Sequence, residues 1–108
     1  MSPMRRRRRP PPADFAALRA FARAYLHEDF AREYGSAVQA AHAFAAAASA
    51  AERDDLAAEL TRLAALGWPP DRLRAFFTDT LGAAWAAPSA DAVLQMADAV
   101  AERRERGR

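Results

Sequence analysis

Between residues 15 and 100 the large apolar residues fall three and four apart, the repeat of one buried helix face, and no stretch reads convincingly as a strand. Phe15, Leu18, Phe21, Ala22, Tyr25 and Leu26 mark a first helix, which Asp14 is placed to cap. The segment from His27 to Tyr34 either continues that helix or bends it, with the kink expected around residues 31–35. Gly35 then stops it. Ser36 with Gln39 opens a second helix carrying Val38, Ala41 and Phe44, and Ser49 with Glu52 opens a third carrying Leu56, Leu60, Leu63 and Leu66. Past Gly67-Trp68-Pro69-Pro70, the residues Leu73, Phe76, Phe77, Thr80 and Leu81 form one stripe of a fourth helix, closed by Gly82. Ser89 caps a fifth, with Val93, Met96, Ala97 and Val100 inward. The expected fold is all-α: one compact bundle of about five short helices over residues 14–102.

Alanine accounts for 31 of the 56 hydrophobic residues, so the core has few large side chains. Short side chains on packing faces let helices approach closely and lose no side-chain entropy on burial. At 108 residues the chain fits one domain. The absence of cysteine excludes a disulfide scaffold, a thiolate zinc site and a Cys nucleophile, and two histidines leave little for a His-based metal cage. No apolar run approaches the roughly 20 residues of a transmembrane helix, and no signal peptide is recognisable at the start. A cytoplasmic protein is the expectation.

The formal net charge of +2 is unevenly distributed. Five arginines stand at 5–9 and four more at 103, 104, 106 and 108, whereas residues 10–102 hold 7 Arg against 13 Asp and Glu, a net of −6. The reading is an acidic folded body between a disordered Arg/Pro-rich arm, residues 1–13, and a basic tail, residues 103–108. That every cation is arginine matches the codon usage of a GC-rich bacterial genome, so the arginine count alone carries little functional weight.

Candidate chemistry is sparse. His27-Glu28-Asp29 with Glu33 is the most polar constellation, but on a helix residues two apart point in different directions, so His27 and Asp29 would not share a ligand face. A structural use at a helix end, with Tyr25 and Phe30 in the core, fits better. With Gly35, Gly67, Gly82 and Gly107 as the only glycines, there is no phosphate-binding glycine loop, and Ser36, Ser49 and Ser89 each stand where a cap belongs. Trp68 and Trp85 sit between helices, placed to plug the ends of the core. No catalytic residue, cofactor or metal is expected. Glu52, Asp55 and Glu59 flank the leucine stripe of the third helix, as residues suited to a helix N-terminus or to a basic partner.

Tyr25-Leu26-His27-Glu28-Asp29-Phe30, followed by Glu33-Tyr34-Gly35-Ser36 and Phe44, resembles the immunity proteins of bacterial contact-dependent growth inhibition systems. One such family carries aromatic-x-His-Gln-Asp-Trp, then an aromatic residue and Ser. Here Glu28 stands for the Gln and Phe30 for the Trp. The spaced leucines, Leu73, and Leu81-Gly82 followed by Pro88 also fit, and the resemblance spans about residues 15–101. The family often has Trp-Leu in its last helix where this chain has Leu94-Gln95, and the arginine arm is outside the pattern.

The resemblance implies a protein that binds and blocks the C-terminal toxin domain delivered by a neighbouring cell. Toxins of this kind are commonly nucleases with a basic substrate groove, which an acidic body suits. On that reading Glu28, Asp29, Glu33, Glu52, Asp55 and Glu59 face the partner, while Tyr25, His27, Asp29, Phe30, Tyr34 and Ser36 serve the motif by packing or by binding. The alternative is a nucleic-acid-binding helical module that acts through its arginine-rich ends.

Overall fold

Three serine caps set the helical frame. Ser36 Oγ accepts from Gln39 N–H at 3.1 Å and opens α3 (Ala37–Ala47). Ser49 Oγ accepts from Glu52 N–H at 3.1 Å while Glu52 Oε1 accepts from Ser49 N–H at 2.9 Å, a complete capping box for α4 (Ala50–Ala65). Ser89 Oγ accepts from Ala92 N–H at 3.3 Å ahead of α6 (Ala90–Arg106). The computed structural model describes residues 15–106, and side chains through residue 101. It completes the frame with α1 (Ala16–Tyr25), α2 (Phe30–Tyr34) and α5 (Pro70–Ala75), and no strand occurs among the described residues. The arm at 1–13, the Asp14 cap and most of the tail at 103–108 lie outside the described residues or their side chains.

Helix α4 lies along α6, α3 also packs on α6, α1 rests against α4 and α3, and α2 folds onto α3. Where α3 meets α6 the buried positions are mostly small: Ala37, Ala40, Ala41 and Ala45 on one side, with Ala97 and Ala99 beside Val93, Met96 and Val100 on the other. Leu56, Leu60 and Leu63 supply the inward face of α4, each stabilised by about 1.5–3 kcal/mol on full burial. Apart from Leu66 and Leu94, every large apolar residue from Phe15 to Val100 is buried or packed half-buried on the core.

Three local expectations need correction. The first helix breaks earlier than residues 31–35, over residues 26–29, and the described residues form six α-helices, in keeping with a bundle of about five short ones. The cause is tertiary: Leu26 is fully buried and its carbonyl accepts from Ala84 N–H at 2.7 Å, which takes that oxygen out of helical pairing. Leu66 is not in the core stripe but 43% exposed. Leu66 stands just past the last residue of α4, where its N–H bonds to Leu63 C=O at 3.1 Å and the chain turns off at Gly67, so its side chain lies at the helix end beyond the packed stripe.

The fourth helix is not regular to its end. Past Ala75 it widens into a π-helical turn, Phe76–Thr80, where Leu81 N–H reaches Phe76 C=O at 2.9 Å. Phe76, Phe77 and Leu81 remain on the buried side through the wider turn. Phe76 meets Phe15 and Trp68 edge-on, and Phe77 meets Trp85. Both tryptophans are half-buried against the core, in the plugging role expected of them.

Candidate functional site

The break after α1 turns residues 26–29 into a corner, and the corner draws the polar motif together. His27 Nδ1 accepts from Asp29 N–H at 3.1 Å, so its proton sits on Nε2, which lies 3.1 Å from Glu33 Oε1. Out of a helix, His27 no longer obeys the angular argument that separated it from Asp29. It is joined to the Asp29 backbone and to the Glu33 side chain, and both imidazole nitrogens are occupied. The corner is tied further by Phe30 N–H to His27 C=O at 2.9 Å and by Glu33 N–H to Asp29 C=O at 2.9 Å.

Below the corner lies an aromatic base. Tyr25 stacks on Phe21 at 5.5 Å, meets Phe44 edge-on at 5.7 Å and touches Tyr34 at 5.5 Å, while Tyr34 lies 6.4 Å from the His27 ring. Tyr25, Phe30 and Tyr34 are half-buried rather than sealed. Partial desolvation, then the neighbouring Glu33 carboxylate and Tyr25, push the Tyr34 phenol above its ordinary value of 10.0. The motif is thus a hydrogen-bonded corner on an aromatic support, with Glu28 and Asp29 exposed at its tip and Glu33 exposed beside it.

The other acids are placed differently. Glu59 reaches across to α1, where its Oε1 accepts from Leu18 N–H at 2.7 Å and its Oε2 from Ala17 N–H at 3.2 Å. Those are first-turn amides of a helix whose preceding residue, Phe15, offers no side-chain cap. A carboxylate there also meets the positive end of the helix dipole. Glu52 holds the N-terminus of its own helix through the capping box, and Asp55 stands exposed a turn further on. So the structure gathers His27, Glu28, Asp29 and Glu33 at one corner, and leaves Glu52, Asp55 and Glu59 along α4.

Sequence reading missed the arginines' part in the fold. Arg53 Nη1 donates to Ala48 C=O at 2.8 Å and to Ala45 C=O at 3.3 Å, closing the end of α3, and Arg19 Nη1 donates to Thr80 C=O at 3.1 Å. Arg62 covers the Phe15 ring at 4.8 Å and Arg72 the Trp68 ring at 4.2 Å, while Arg74 pairs with Asp71. The three-residue spacing of Asp71 and Arg74 is a local signal; the bond of Arg19 and the ring contact of Arg62 go to partners that the tertiary fold brings near.

Among the described residues no group of three or more His, Asp or Glu is arranged to hold a metal, and no helix is long and apolar enough to cross a membrane. The structure is that of a small helical domain presenting an acidic, prearranged corner. The model of the CdiI immunity protein family matches residues 14–96, and the chain belongs to that family. It is therefore an immunity protein of contact-dependent growth inhibition, whose partner is a cognate toxin. No curated protein and no solved structure matches the chain.

Proposed function

We propose that this immunity protein acts in the cytoplasm by occluding a nuclease toxin, the C-terminal domain of a larger exported protein, and that it performs no chemistry itself. The observation that carries this reading is the acidic balance of the sequence between its two arginine runs, a net of −6 over residues 10–102. Five of the seven arginines in that span are held against carbonyls, aromatic rings or Asp71 within the fold, while Glu28, Asp29 and Asp55 stand exposed. A nuclease binds a polyanion and so presents a basic groove. An acidic surface gains fast, salt-sensitive association with such a groove and, once seated, excludes the substrate.

Of the acids suited to this contact, Glu28, Asp29 and Asp55 stand exposed, and Glu33 lies beside the first two with its carboxylate against His27. Glu52 and Glu59 are engaged in holding helix ends. The test is coexpression with the toxin domain encoded immediately upstream. Cells carrying the native chain survive, and charge reversal at Glu28 and Glu33 slows association and lowers protection. Full protection by the reversed protein, folded and equally abundant, contradicts the reading.

A further inference from the structure

The bond from Asp29 N–H to His27 Nδ1 spans two residues, the closure that an Asn or Asp side chain makes in an Asx turn. It falls at a vulnerable place. Asp29 is the residue that precedes α2, its own side chain makes no capping bond, and α2 has only five residues with which to hold itself together. From the other nitrogen the imidazole reaches Glu33 within α2. His27 therefore grips the short helix at both ends, with the exposed Glu28 and Asp29 carboxylates carried on the chain between.

We infer that His27 is the positioning residue of the toxin-facing corner, and that it acts chiefly through the Nδ1 acceptor. By fixing the Asp29 amide it presents Glu28 and Asp29 in one arrangement before the toxin arrives, which removes an ordering cost from binding. The rest of the corner is already rigid, through the Leu26 carbonyl on Ala84 and the aromatic base under Tyr25. The residue pair 28–29 sits inside the turn closed by Phe30 N–H on the His27 carbonyl, and the imidazole adds a side-chain hold on it through the Asp29 amide. This inference rests on the reading of the corner as toxin-facing.

Isosteric variants separate the two nitrogens. In H27N the amide oxygen takes the place of Nδ1 and keeps the Asx-type closure, while the reach to Glu33 is lost. In H27Q the amide reaches Glu33 but leaves the Asp29 N–H without its acceptor. Binding is measured on the purified full-length chain against the purified toxin domain encoded upstream, with thermal melts alongside. The expected result is that H27N stays within about threefold of the native Kd while H27Q weakens by about tenfold or more, both melting cooperatively. H27Q binding as tightly as the native chain, or H27N as weakly as H27Q, overturns the inference. The underlying reading has its own control in E28K and E33K. If these bind normally, the corner is not toxin-facing, whatever the histidine variants do.

Discussion

Glu59 shows how much of this fold hangs on single polar side chains. It caps α1 from a helix some forty positions away, because Phe15 occupies the capping site with a buried ring and can offer no acceptor. Replacing it by alanine frees two first-turn amides in a partly buried place, and charge-assisted bonds of this kind are worth about 1.5–3 kcal/mol. E59A should therefore melt well below the native protein, by roughly 4–8 °C for each kcal/mol lost. E28A, at the exposed corner, should melt with the native protein. Equal melting points for E59A and E28A would show that α1 is not held through Glu59. The comparison also separates acids that hold the fold from acids that meet the toxin, since a variant weak in binding only because it is less stable is recognised by its melt.

At the level of the helices, the local rules were readable and the long-range ones were not. Ser49-x-x-Glu52 announces a helix start because both bonds of the box are made within four residues. The stripe Leu56, Leu60, Leu63 announces a buried face because helical geometry alone aligns it. The break at residues 26–29 depends on Ala84, and the widened turn at Phe76–Thr80 on ring partners as distant as Phe15 and Trp68, so neither leaves a mark in its own segment. The motif His27-Glu28-Asp29 was legible as a helix-end device. Its wiring was not, since a continuous helix and a corner predict opposite directions for the side chains.

Helix ends give a matched prediction. Gly82 has φ of +68° and open space where a Cβ would point, so G82A carries only the conformational penalty of about 1–2 kcal/mol. S49A loses the capping box for about 0.5–2 kcal/mol. The bonds at the two sites share no partner, so in urea melts the double variant should lose the sum of the two single effects.

For the molecule as a whole the deciding question is whether the folded body or its basic ends perform the function. Residues 10–102 carry −6 and the two ends nine arginines, so the two parts favour partners of opposite charge. If the body acts, a chain trimmed to residues 14–102 keeps the family-matched segment and should protect cells against the upstream toxin as the full chain does. Association of the trimmed chain should slow as salt is raised, because the attraction lies between exposed charges within a screening length of about 8–10 Å. If the ends act, trimming abolishes protection with the fold intact, and the full chain binds DNA or RNA with an affinity that falls steeply with salt. The first outcome is expected, since an acidic body repels a phosphate backbone near any arm it carries. Loss of protection on trimming, with an unchanged thermal melt, would move the binding surface from the helical corner to the arginines.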